Sequence, residues 1–369
     1  LSSKNVTDYL PQHDYSLIDA LIYCHQPPND ADQDLLEQRL HPAQQRLALE
    51  ELTAHYLSRR KLREKIKQLP ATKLPVNQTL LTQFYQQLPF TLTNAQQRVI
   101  AEIFSDLNQS HPMLRLLQGD VGSGKTVVAA SAMIAAISNG FQASLMAPTE
   151  ILAQQHFMHL QKYFSHLNIN VVNLTSRIPA KQKRELLAQI AEGNAQIIIG
   201  THALIQDKVE FQKLGLVIID EQHRFGVAQR SKLWQKNTEV YPHMLVMTAT
   251  PIPRTLAMTL YGDLEISVID ELPKGRKPII TTHQFDSQRL KVNGFIRSQI
   301  NSGRQIYVVY PLIEESEKLD LKHLMDGYES MSRSFPDVAI SIVHGQMKSE
   351  AKEFEMKRFV KGETKIMVA

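Results

Sequence analysis

Leu114-Arg115-Leu116-Leu117-Gln118-Gly119-Asp120-Val121-Gly122-Ser123-Gly124-Lys125-Thr126 decides the fold. An apolar strand runs into the pattern G-x-x-x-x-G-K-T, and Val127 to Ile137 continue as an unbroken, Ala-rich helix former. Strand, glycine loop and helix in that order are the context a phosphate-binding loop requires. Gly119, Gly122 and Gly124 permit backbone angles that turn successive N–H groups inward. The helix that follows directs its positive end to the same place. Asp120, Val121 and Ser123 complete the loop. Lys125 adds a full charge for the β and γ phosphates, and the Thr126 hydroxyl can ligate Mg²⁺. The stretch predicts binding of a nucleoside triphosphate.

Outward from Leu114, short apolar runs alternate with longer helical patterns. Strands are predicted at 114–118, 143–147, 196–200, 216–220 and 244–248, and helices at 125–138, 150–166 and 179–192. Strands this apolar are covered on both faces, which means a parallel sheet in an α/β domain. Ligands of such sheets sit beyond the carboxyl ends of the strands. Informative residues do follow each run: Pro148-Thr149-Glu150, Gly200-Thr201-His202, Asp220-Glu221-Gln222-His223 and Thr248-Ala249-Thr250. Strand-end turns would explain any one of these, but not all four beside a phosphate loop.

Asp220 and Glu221 carry the predicted chemistry. Four apolar residues and then an acid deliver a carboxylate to a metal, here the Mg²⁺ shared with Thr126. The next carboxylate, Glu221, can orient or deprotonate the attacking water. His223 and Gln222 are placed to sense the γ-phosphate and relay its loss to Thr248 and Thr250. Thr149 and Thr201 end two of the apolar runs; in the nucleic-acid motors that these motifs resemble, the backbone near them would grip phosphates.

About twenty residues upstream of the loop lies Leu88-Pro89-Phe90-Thr91-Leu92-Thr93-Asn94-Ala95-Gln96-Gln97. The Gln96 amide can match the N6/N7 edge of adenine, and Phe90 could cover the ring. Taken alone, a capped helix start at Thr93 is the simpler reading. Farther back, residues 1–85 read as mostly helical, with Leu17, Ile18, Leu21 and Ile22 at helical spacing and Pro42 opening a long helix. That helix ends in a basic run, Arg59, Arg60, Lys61, Arg63, Lys65 and Lys67. The run is either a duplex-facing strip or a solvated face. Pro70 and Pro75 mark a linker. Downstream, a second α/β unit begins near Pro278, with strands at 305–310, 338–343 and 365–369 and helices around 287–302, 316–333 and 348–361.

Composition narrows the class. The chain has 369 residues, 43% hydrophobic and 21% charged, with a net charge of +4. Length alone allows two or three domains. A charge this small is no polybasic footprint, so nucleic-acid binding must come from local placement of charge. Cys24 is the single cysteine; it excludes internal disulfides and is expected to be an inert buried thiol in a reducing compartment. No run reaches the roughly 18 apolar residues of a membrane helix, so no membrane partner is expected.

Together, Gly119–Thr126, Asp220-Glu221-Gln222-His223 and Thr248-Ala249-Thr250 resemble a superfamily 2 helicase or translocase motor. The longer strings Asp220–Val227, Met247–Thr255 and Ile269–Arg276 closely resemble the RecG family of bacterial ATP-dependent helicases acting on branched DNA. Val343–Lys348 also fits that family's second motor domain. The transcription–repair coupling translocases share HRFGV and TATPIPRT, but they usually carry Glu where Gln222 stands. A nucleotide-gated binding module without turnover is the alternative from another class, and the intact Asp220-Glu221 pair argues against it.

The resemblance implies tandem RecA-like P-loop NTPase domains preceded by a helical linker region: a connector over 1–85, an ATP-binding domain over 86–277 and a truncated second motor domain over 278–369. It implies ATP and Mg²⁺ as cofactors, forked or junction DNA as the partner, a monomer, and work at the nucleoid in the bacterial cytoplasm. It also implies a wedge domain before residue 1 and an ATP-completing arginine after Ala369.

Overall fold

The computed structural model describes residues 15–175, 178–221, 240–250, 264–273, 275, 279–310 and 317–369. The chain divides into two compact units, Leu1–Arg276 and Lys277–Ala369.

In the first unit, helices α1 (Leu17–His25), α2 (Gln33–Glu37), α3 (Pro42–Lys67), α4 (Gln78–Gln86) and α5 (Asn94–Leu107) precede the sheet. The core then alternates as β1 (Leu114–Gly119), α6 (Lys125–Ser138), β2 (Gln142–Met146), α7 (Glu150–Phe164), β3 (Val171–Leu174), α8 (Ala180–Ala191), β4 (Ile197–Gly200), β5 (Leu214–Asp220), β6 (His243–Thr248) and β7 (Glu265–Ile269). All seven strands run parallel in the order β3-β4-β2-β5-β6-β1-β7.

Strand periodicity explains why the central runs are apolar throughout. Leu117, Leu145, Ile218 and Leu245 face one core, while their neighbours Leu116, Met146, Ile219 and Val246 face the other. With both faces covered, neither set can be polar. Helix α6 lies in the first core, with Val127 to Ile137 all buried. Its five alanines let it pack close against the sheet. The five predicted strands and three predicted helices of this region are present. Two edge strands, β3 and β7, were not predicted.

Chemistry also secures the approach to the sheet. Between α3 and α4, the Pro70–Pro75 stretch is strapped to the domain. Ala71 N–H donates to Ser110 O at 2.9 Å, Leu74 N–H to Leu107 O at 2.8 Å, and Tyr241 N–H to Pro70 O at 2.9 Å. Cys24 is half-buried, not buried as expected, because α1 buries only Ala20 and leaves its apolar residues largely exposed.

The second unit holds β8 (Ile306–Val308), β9 (Ile340–Ile342) and β10 (Ile366–Val368), parallel in the order β8-β10-β9. Helices α9 (Arg289–Asn301), α10 (Glu317–Ser334) and α11 (Ser349–Val360) accompany them. Ile296, Leu324, Met331, Phe335, Ile366 and Val368 form its small core. Among the described residues, no helix is long and apolar enough to cross a membrane.

Candidate functional site

The phosphate loop begins where β1 ends. Gly124 stands at the N-cap of α6 with φ +89° and no side-chain cap bond, and a helix start of this kind is an anion-binding position. A Cβ on Gly124 would overlap the Gln96 amide, and one on Gly119 would lie 2.6 Å from Ser123 Oγ. A side chain at either position would displace its neighbour, and at Gly124 it would also strain the backbone. Asp120 and Val121 form the exposed crest. Gly122 also has positive φ, +79°. Ser123 is fully buried, and its hydroxyl has no hydrogen-bond partner among the described residues. The Lys125 ammonium folds back on the loop, donating to Gly119 O at 2.6 Å and to Asp120 O at 3.0 Å. In that posture it already sits among the groups that would surround a phosphate.

Register ties the remaining motifs to this loop. Gln118 pairs with Thr248 and Leu117 with Met247 across β1 and β6. Asp220 pairs with the same Met247 across β5 and β6. Asp220 is thus level with Leu117 near the carboxyl end of β1, two strand spacings or about 10 Å away. Thr248 lies on the strand between them. Its hydroxyl accepts from Thr250 N at 3.2 Å and lies 2.9 Å from Thr250 Oγ1. Ala249 spans the turn between these threonines. Glu221, the next residue after β5, adopts a left-handed backbone with φ +51°. Such a conformation is strained for a residue with a Cβ and recurs at functional sites.

A cleft of about 680 Å³ opens over the loop, lined by Phe90, Gln96, Lys125, Thr126, Tyr163 and Glu271 among others. Phe90 is 42% exposed there, and burial pushes the Tyr163 phenol up, keeping it protonated. Gln96, expected at the adenine edge, is held within the protein. It is only 2% exposed, its Oε1 accepts from Thr93 N at 2.9 Å, and its Nε2 donates to Ser123 O at 2.7 Å. Both ends of the amide are engaged within the protein, in a capping box with Thr93 and in a strut under the loop.

Thr126 and Asp220 supply a hydroxyl and a carboxylate, the hard oxygen donors that suit Mg²⁺. Among the described residues no group of three or more His, Cys, Asp or Glu could hold a metal. Thr149 caps α7, its hydroxyl accepting from Leu152 N at 3.3 Å, and Thr201 follows β4 with only 6% exposure. Both stand at the carboxyl edge of the sheet. Thr149 presents a helix start there, whereas the Thr201 side chain is turned inward. Gln222 and His223 lie outside the described residues.

Sequence reading missed two participants. His156 Nε2 lies 2.7 Å from Asp220 Oδ2, with both residues buried. Its only trace in the sequence is a polar residue within the stripe Ala153, Leu160 and Phe164. Glu271 lines the cleft and accepts from Ala95 N at 3.0 Å, at the first turn of α5; nothing local marks it.

A parallel sheet whose carboxyl edge carries a phosphate loop, an Asp-Glu pair and a Thr-Ala-Thr turn is the architecture of a RecA-like helicase domain. The DEAD/DEAH box helicase family matches residues 93–259. Along its whole length the chain is homologous to the RecG helicases. It is 46% identical to the ATP-dependent DNA helicase RecG of Haemophilus influenzae, over 100% of this chain and 54% of that protein. It is 47% identical to the RecG of Escherichia coli K12, over 98% of this chain and 52% of that one. A structure of RecG bound to a three-way DNA junction aligns with a TM-score of 0.76 and 35% identity, covering 95% of this chain and 50% of the other. The chain therefore spans about half the length of these relatives. The helicase Mss116, at 16% identity over 81% of this chain and 66% of its own, shares the fold with a TM-score of 0.60.

Proposed function

We propose that this chain is the motor of an ATP-dependent DNA helicase that remodels branched DNA, forks and Holliday junctions included, in recombination and repair. The observation that carries the reading is the register: the phosphate loop, Thr248 and Asp220 lie side by side on one sheet edge. The RecG relatives support the choice of DNA, since one of them is solved on a three-way junction. On this reading residues 1–85 are a helical connector, 86–277 the ATP-binding domain and 278–369 the start of a second motor domain. Such a motor works at the nucleoid, in the bacterial cytoplasm.

The residues divide the work. Lys125 exchanges the carbonyls of Gly119 and Asp120 for the β and γ phosphates, and the first amides of α6 bind the same oxygens. Thr126 and Asp220 would hold Mg²⁺, which when bound neutralises charge on those phosphates. Glu221 orients the attacking water. Phe90 covers the base. Thr248 and Thr250, between the two halves of the site, pass the change outward, and Gln222 and His223 belong to the same relay. The α7 start at Thr149 and the turn at Thr201 grip backbone phosphates, because a motor must step over any sequence.

The test is nucleotide binding by a fluorescent ATP analogue, followed by phosphate release by the full-length protein with a three-way junction or a linear duplex of equal length. Lys125→Ala should weaken binding at least tenfold while melting as wild type does. The junction should stimulate release more than the duplex. Unchanged binding in Lys125→Ala overturns the nucleotide assignment; equal stimulation overturns the branched-DNA assignment.

A further inference from the structure

We propose that His156 is a positioning residue for Asp220, holding its carboxylate in one orientation for the nucleotide's metal ion. The inference rests on the reading of Asp220 as a Mg²⁺ ligand.

Helix α7 buries Ala153, His156, Leu160 and Phe164 along one face. An imidazole in such a stripe needs a polar partner, because an unpaired buried polar group is costly. The partner is Asp220 Oδ2 at 2.7 Å, with His156 at 9% and Asp220 at 8% exposure. A carboxylate oxygen accepts, so Nε2 is the donor in this pair. The Asp220 main chain is already fixed by its ladder pairing with Met247. What the ladder leaves loose is rotation of the carboxylate, whose torsion is broad and roughly two-fold. His156 restricts that freedom by bonding Oδ2, so the carboxylate that would hold the ion keeps one orientation.

Mg²⁺ demands near-ideal octahedral geometry, so a wandering carboxylate is a poorer ligand than a pinned one. Hydrogen-bond partners of metal-ligating carboxylates typically change metal affinity or activity by about 10–100-fold when removed. Packing alone would require only an apolar side chain of similar volume at position 156.

The experiment uses this chain with ADP and Mn²⁺, following free Mn²⁺ by electron paramagnetic resonance. His156→Met fills the space without a donor; His156→Gln restores an N–H near the Nε2 position. The expected result is ~10–100-fold weaker Mn²⁺ binding in His156→Met, near-wild-type binding in His156→Gln, and unchanged ADP affinity in EDTA for both. Equal Mn²⁺ affinity in wild type and His156→Met overturns the proposal, as does equal weakening in both variants. If His156→Met does not fold, a large loss in folded His156→Gln also overturns it, and retained affinity supports it. Failure of wild type to bind ADP in EDTA would instead remove the nucleotide reading itself.

Discussion

Gln96 and Ser123 are joined beneath the nucleotide cleft, the Gln96 Nε2 donating to the Ser123 carbonyl at 2.7 Å. The same side chain closes the capping box of α5 by accepting from Thr93 N. One amide therefore ties the start of α5 to the phosphate loop before any nucleotide arrives. Gln96→Ala should lower the stability of the nucleotide-free protein by about 1–3 kcal/mol, through a lost cap and an orphaned carbonyl. Urea denaturation without nucleotide measures this. A residue that served only to read adenine would leave that value unchanged.

Glu221 occupies a left-handed backbone conformation, φ +51°, where a side chain costs about 1–2 kcal/mol. Position and carboxylate can be separated by substitution. Glu221→Gln keeps the side-chain length and should leave nucleotide binding intact while turnover falls by roughly 10²–10⁴. Glu221→Gly should lose turnover equally. Its melting temperature should nevertheless match or exceed that of Glu221→Gln, because relief of strain offsets the entropic cost of glycine. A markedly lower melting temperature for the glycine variant would show that the conformation is not a source of strain.

The central strands were legible because burial on both faces forces unbroken apolar runs, and the phosphate loop because its chemistry is contiguous. The edge strand β7 was not, since Glu265-Ile266-Ser267-Val268-Ile269 buries only Ser267 and Ile269 and leaves Glu265 and Val268 in solvent. Within the site, the unread features are tertiary. Gln96 and Ser123 stand 27 residues apart, His156 and Asp220 64, and Ala95 and Glu271 176. No local spacing fixes such pairs; the order of the strands does. Gln96 shows the converse. Its residue type suits adenine, but the capping pattern beginning at Thr93 described its local bonds better.

The basic run of α3 is divided in its use. Arg63 donates to Leu264 O at 2.9 Å and approaches Glu265 at 3.7 Å, anchoring the end of α3 beside β7. Arg60 pairs with Glu64 at 3.4 Å on the exposed side of the helix. Arg63→Ala should therefore destabilise by about 1–2 kcal/mol, since a hydrogen bond from a charged group is lost at a half-buried site. Lys61→Ala and Lys65→Ala should leave stability within about 0.5 kcal/mol. If the exposed lysines also contact duplex, the double lysine variant will reduce the salt dependence of DNA binding. An unchanged salt slope would mark them as a solvated face.

His243 links the Pro70–Pro75 strap to β6 in a way that depends on its charge. Its Nε2 donates to Thr72 O at 2.7 Å, and its Nδ1 accepts from Met113 N at 3.0 Å. Burial holds its pKa below the ordinary histidine value of 6.5, and nearby His111 pushes the same way. The Thr72 bond and Asp106 oppose them. Protonation would place Nδ1–H against the Met113 N–H, two donors face to face. The sign follows from linkage: below about pH 6.5 the unfolded chain takes up a proton that the folded chain resists, so stability falls. The contribution is complete above pH 6.5, declines as pH drops towards the depressed folded value, and levels off below it. Melting curves from pH 8 to pH 5 should show this decline in wild type. In His243→Gln it should be shallower, with lower stability at pH 8 where the histidine bonds are intact. An identical decline in the variant would assign the acid sensitivity to other groups.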